Sequence, residues 1–194
     1  MNYYRIRPDL KVAQRWVLGD VRHIDNWLLI DPPVNFMEPG RYALDVAHVG
    51  CETDYTLAGY ASAPVVSRKF LDALSGLPDV DAAYEHVVFE PVLIEGQDVV
   101  HEYYLMIVET QIDCLDEWNS EFVRFEEHDS VRPDLAGQIR AFHRLCIDAD
   151  RVRPWHIFRM REHLSALIVS EEVKLRLESA AVVGIHFETV SSCG

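Results

Sequence analysis

Val65-Val66-Ser67-Arg68-Lys69-Phe70-Leu71-Asp72-Ala73-Leu74 holds the first clear change of period in this chain. Two β-branched residues predict the end of a short strand. Ser67 is placed to accept a backbone N–H of the next turn, and Phe70, Leu71 and Leu74 then share one helical face. Gly76 and Pro78 stop that helix. The same sequence of events recurs at Leu167-Ile168-Val169-Ser170, where a strand runs into a cap and Val173, Leu177 and Ala180 form the stripe. After the first cap comes Phe89-Glu90-Pro91-Val92. After the second, with a connection five residues shorter, comes Phe187-Glu188-Thr189-Val190. A β-α-β unit used twice explains the recurrence, as does coincidence in two ordinary helix starts; duplication is the reading adopted. Ser67 and Ser170 read as caps, not as nucleophiles.

Outward from this unit the chain reads mostly as strands. Residues 84–94 predict a strand with both faces apolar, Glu95-Gly96-Gln97-Asp98 a hairpin turn, and residues 99–108 the returning strand. In the latter both alternating sets are apolar (Val100, Tyr104, Met106, Val108 and Val99, Tyr103, Leu105, Ile107), which predicts a central strand covered on both sides. The first forty residues, with turns at Asp31-Pro32-Pro33 and Met37-Glu38-Pro39-Gly40, read as short strands and turns over a core. Further strands are expected at 42–49 (Tyr42, Leu44, Val46 and His48 on one face), 138–147, 155–160 and 183–190. The predicted fold is α+β: a mostly β framework with a duplicated strand-helix-strand unit, arranged as two related lobes. Residues 1–60 form a β-rich covering segment, and residues 61–194 hold the two related units.

The chain of 194 residues is 49% hydrophobic and 26% charged, so it can bury a core and is unlike a disordered chain. No apolar run reaches the length of a membrane-spanning helix, and MNYYRIRPDLK lacks a secretory h-region, so a cytoplasmic protein is expected. Cys51, Cys114, Cys146 and Cys193 form no CxxC pair, and Cys114 and Cys146 read as buried small hydrophobes. The formal net charge of −14 comes from one stretch, residues 79–129, with fifteen acids against a single base, Arg124. Such a balance repels a phosphate backbone and argues against nucleic acid. It suits either a solvated surface or a field that steers a basic partner.

Catalytic constellations are not evident. His101-Glu102-Tyr103-Tyr104-Leu105 starts like a zinc-protease helix but lacks the second His and lies in a strand pattern. His143 and Cys146 are three apart, in a strand-like run without a further ligand pair. Asp113 and Asp116, with Glu117 close by, invite a paired-carboxylate reading with Trp118 as a sugar-stacking aromatic. They read better as turn residues at the end of the central strand.

Tyr103-Tyr104-Leu105-Met106-Ile107-Val108 is followed by Ile112-Asp113-Cys114-Leu115-Asp116 and Ser120-Glu121. Later come Ile157-Phe158-Arg159, Leu167-Ile168-Val169-Ser170-Glu171 and Gly184-Ile185-His186-Phe187. That order, over residues 54–190, resembles immunity family eleven of bacterial polymorphic toxin systems, formerly a domain of unknown function. Asn119 departs from the charged residue expected before Ser120. The resemblance implies a cytoplasmic protein, encoded beside a toxin gene, that binds and neutralises its cognate toxin. It implies no catalytic residue, cofactor or metal. With the acidic stretch it leads us to expect a basic toxin, bound through Asp113, Asp116, Glu117, Trp118, Glu121, Phe122, Phe125, Glu126, Glu127 and Asp129. Trp118, Phe122 and Phe125 are spaced either as interface anchors or as the inner face of a helix. A small hydrolase or transferase on an acidic cleft is the alternative, and a self-assembling scaffold a third reading.

Overall fold

The computed structural model describes residues 1–31, 42–81 and 86–193. The expected turns at Pro32-Pro33 and Met37-Glu38-Pro39-Gly40, and the expected strand start at Tyr84, lie outside the described residues. In chain order the elements are β1 (Tyr3–Pro8), β2 (Val17–Val21), β3 (Tyr42–His48), β4 (Tyr55–Ala58), β5 (Ala63–Ser67), α1 (Arg68–Leu74), α2 (Pro78–Asp81) and β6 (Val87–Glu95). There follow β7 (Tyr103–Val108), β8 (Gln111–Ile112), β9 (Glu121–Arg124), β10 (Ile139–Arg144), β11 (Cys146–Asp148), α3 (Ala149–Val152), β12 (Ile157–Met160), β13 (His163–Ser170), α4 (Glu171–Ser179) and β14 (Ile185–Cys193). The fold is mostly β with few, short helices. Among the described residues no helix is long and apolar enough to cross a membrane.

Strands β2-β3-β6-β7-β5-β4 close a barrel, β11-β14-β1-β13-β12-β8 form a six-stranded sheet, and β9 and β10 pair as a ribbon. The double apolar alternation of β7 explains its central place. Tyr103, Leu105 and Ile107 point into the barrel with Trp16, Leu18, Leu44 and Val65. Met106 and Val108 point outward into a second core with Phe70, Leu74, Ile157, Val169, Val173 and Leu177. That core joins the barrel to the sheet. A third, with Tyr3, Cys114, Ile147, Phe158, Met160 and Ile168, covers the other face of the sheet. Strand β7 starts at Tyr103 rather than at Val99. The Glu52 carboxylate accepts the Val100 N–H and the Tyr103 hydroxyl, each at 3.0 Å, so Val100 cannot join the ladder and is 84% exposed. In β6, Val92 and Ile94 face the barrel interior while Leu93 is 59% exposed, so the far half of this strand is covered on one face only.

Both predicted caps form. The Ser67 Oγ accepts the Phe70 N–H at 3.3 Å, and the Ser170 Oγ accepts the Val173 N–H at 3.4 Å. Phe70, Leu74, Val173 and Leu177 are buried, whereas Leu71 and Ala180 are only half-buried. Helix α1 ends before Gly76, and Pro78 opens α2 as its first residue, where its missing N–H is no loss. Strands β5 and β6 run antiparallel to β7 on its two sides, and β13 and β14 run antiparallel to β1 on its two sides. Each helix therefore crosses over one intervening strand. Helices α1 and α4 pack together, with Lys69 Nζ donating to the Ala181 carbonyl (2.9 Å) and Arg176 Nη1 to the Ser75 carbonyl (2.8 Å). Each cation thus sits at the partner helix's negative end.

Residues 1–60 supply strands to both sheets: β1 is interior to the six-stranded one and β2 to β4 belong to the barrel. The strand expected over 138–147 divides at Leu145: β10 pairs with β9, whereas β11 runs parallel to β14. Cys114 and Cys146 are buried free thiols, as expected, and burial pushes the Cys114 thiol up to about 12.

Candidate functional site

Residues 113–129 form no helix. Leu115 bridges to Ile147, and a tight turn follows in which Asp116 acts as the organiser. Its Oδ1 accepts the N–H groups of Trp118 and Asn119, both at 3.1 Å, and its Oδ2 accepts the Asn119 side-chain amide at 2.7 Å. A short acceptor side chain folding back on the next N–H groups is what fixes such turns. Behind the turn, the Asp116 N–H donates to the Cys146 carbonyl, and the Ser120 hydroxyl both accepts from the Cys146 N–H (2.9 Å) and donates to its carbonyl (3.1 Å). The turn is thereby riveted to β11. At its tip Trp118 is 97% exposed. The helix reading of the Trp118, Phe122 and Phe125 spacing is thus corrected.

Beyond the turn, β9 and β10 form the ribbon. Phe122 is half-buried edge-on against Phe142 (ring centres 5.9 Å apart), and the Arg124 guanidinium lies 4.9 Å from its ring centre. Phe125 is half-buried with Arg140 over its ring at 5.5 Å. Glu126, Glu127 and Asp129 lie past the far end of β9, where Asp129 accepts the N–H groups of Val131 and Arg132. Those two donors hold its carboxyl below the usual range.

Asp116, Glu117 and Trp118 border an open groove of about 630 Å³ together with Leu115, Asp148, Asp150 and Arg151. Asp148, which caps α3, pairs with Arg151 Nε at 3.2 Å. Arg151 also reaches the Asp113 carbonyl at 3.2 Å. Asp113 lies beside Glu162: their shared hydrogen bond, then Arg151 and Arg161, hold Asp113 low, while burial and that same bond raise Glu162. The Glu162 Oε1 accepts the Leu115 N–H at 3.2 Å, which ties this pair to the start of the turn.

The family model described as "Immunity protein family (Imm11)" matches residues 29–192. This chain belongs to that family. The Imm11 match takes in the barrel from β3 onward, the turn, the ribbon and all of the six-stranded sheet except β1. Among curated proteins none matches the chain. Membership in Imm11 implies an immunity role with a toxin as partner.

The acids of residues 79–129 are not all displayed outward and unpaired on this Imm11 chain. Asp79 is buried, accepting the N–H groups of His156 and Ile157 at 2.7 and 2.8 Å. Glu90 is buried too, and burial raises its carboxyl. Glu95 pairs with Arg22, Glu117 with Arg124, Glu121 with Arg144, Asp113 with Arg151 and Asp129 with Arg140. Four of these five arginines come from outside the acidic stretch, which sequence-local counting could not register.

Of the ten residues expected to bind, the fold brings Asp116, Glu117 and Trp118 to one groove, leaves Asp113 beside Arg151 and Glu162, and spreads the other six along β9 and beyond its end. Asp148, Asp150 and Arg151 were missed, because they arrive from β11 and α3, some thirty residues on, and no spacing announces them. His143 is exposed on β10 and Cys146 buried on β11, so they do not converge. Among the described residues no group of three or more His, Cys, Asp or Glu side chains is placed to hold a metal.

Proposed function

We propose that this chain binds a cognate bacterial toxin and neutralises it in the cytoplasm of the producing cell, docking through the Trp118 turn and the groove beside it. The observation that carries this reading is Trp118: a fully exposed indole held on a turn that Asp116 and Ser120 make rigid. An apolar ring of this size gains most from being covered, and a preformed turn avoids the entropy of ordering it on binding. Asp116, Glu117, Asp148 and Asp150 around the groove favour a basic toxin surface, and the net charge of −14 favours fast capture of one.

The finer reading of the fold supports this division of labour. We read the β5-α1-β6 and β13-α4-β14 crossovers as two copies of one unit, on the strength of their shared topology and crossed helix-end bonds. The turn and ribbon fall between the copies, as a binding arm on a duplicated scaffold.

Calorimetric titration with the product of the adjacent gene tests the proposal. Saturable binding that weakens between low and high salt is the expected result. Absence of binding sinks the toxin reading, and salt-independent binding sinks its electrostatic part.

A further inference from the structure

Arg159 is the largest charged side chain in the interior, at 2% exposure. The alternation of β12 sends Phe158 and Met160 to the third core and leaves Ile157 and Arg159 on the barrel side. Its Nη1 donates to the Leu164 carbonyl at 2.7 Å, and its Nε and Nη2 are buried with no partner. These two nitrogens form the edge of a guanidinium that grips a carboxylate with two parallel N–H···O bonds. Burial pulls the group down only to about 10, so it stays charged at neutral pH. A buried charge with two idle donors is expensive unless something completes it.

The surroundings say what completes it. Arg159 lines a cavity of about 320 Å³ between the barrel and the six-stranded sheet, large enough for a small ligand. Ile6, Leu57, Pro64 and Leu167 supply apolar walls, Tyr55 stands beside the arginine, and Arg5 and Arg7 add positive charge; among the described residues no Asp or Glu lines the space. We propose that this cavity is a binding site for a small organic carboxylate, gripped by Nε and Nη2 of Arg159 with its apolar body against Ile6, Leu57 and Leu167. The site is separate from the Trp118 groove, and its failure leaves toxin binding untouched.

Hexanoate is the probe, with hexylammonium as the charge-reversed control and inorganic phosphate as the alternative anion. Titrations are followed by thermal melting and by the arginine Nε–H resonances of ¹⁵N-labelled protein. Hexanoate at ten times its Kd is expected to raise the Tm by roughly 3–6 °C and to move the Arg159 resonance, while hexylammonium does neither. Arg159→Met should abolish the Tm rise, and Arg159→Lys, which keeps a cation without the two-nitrogen edge, should weaken binding at least about tenfold. A wild-type Arg159 resonance indifferent to hexanoate overturns the proposal, even if neither variant folds. So does a response to phosphate alone, or an equal Tm rise in Arg159→Met.

Discussion

The Asp54 carboxylate accepts the backbone N–H of Val183 at 2.8 Å, tying the residue before β4 to the loop that leads into β14. The same carboxylate accepts the Ser67 hydroxyl at 2.7 Å and pairs with Lys69 at 2.6 Å, so one buried group holds the first helix start against the second crossover. Asp79 does the corresponding work at the other end, on His156 and Ile157. Asp54→Ala strands these donors and is expected to lower stability by roughly 3 kcal/mol, measured by urea denaturation. Burial alone would raise the Asp54 carboxyl, yet Lys69, Ser67 and the Val183 N–H hold it below its ordinary value. Its contribution is thus complete above the unfolded value of about 3.9 and fades as pH falls through the lower folded value. The wild-type urea midpoint should drop across that acid range, and more steeply than that of Asp54→Asn.

Glu90 has the opposite sign. It is 8% exposed on the barrel-facing side of β6, and burial raises its carboxyl. Its protonated form favours the fold fully below the unfolded value of about 4.3, and that advantage is lost as pH rises through the folded value. Glu90→Gln should therefore raise the Tm at pH 8 by about 2–4 °C, the equivalent of roughly 1 kcal/mol in a chain of this size, and change little at pH 4. A variant that melts lower than wild type at pH 8 would contradict this account.

Trp118→Ala removes a side chain that supports nothing, so its Tm should stay within about 1–2 °C of wild type. The affinity for the toxin should fall by about 2 kcal/mol or more, near thirtyfold. Melting and titration on the same preparation separate the two effects.

Asp116→Ala acts one step back. Without the hydrogen bonds its carboxylate accepts from Trp118 and Asn119 the turn loses its fixed shape while Trp118 remains present. Stability should fall by roughly 1 kcal/mol, with faster proteolytic nicking at 116–120. Toxin affinity should fall less than in Trp118→Ala, because the indole can still reach its place after paying for order.

Local events were readable in the sequence. Ser67 and Ser170 cap helices because the acceptor and the donor lie three residues apart, and β7 declares itself because both of its faces must be apolar. What escaped depends on distant partners. Trp118, Phe122 and Phe125 have helical spacing, but Asp116 closes a turn around Trp118 and Phe122 finds Phe142 across a ribbon. The barrel closes through β2 beside β4 and β3 beside β6, parallel contacts that no hairpin signal reveals. The acidic stretch looked uniform because Arg22, Arg140, Arg144 and Arg151 are remote in sequence. Arg159, read only as part of a motif, turned out to be interior.

Strand β1 sits between β13 and β14, with Tyr3 opposite both Ser170 and Val190. Strand β1 is therefore made well before either of its sheet neighbours and has to wait for both. At ordinary elongation rates of 5–20 residues per second, Ser170 follows Tyr3 by roughly ten to thirty seconds. During that time the barrel can assemble while the second sheet has no centre. Newly made copies therefore come of age late, once the last strand of the sheet has been delivered.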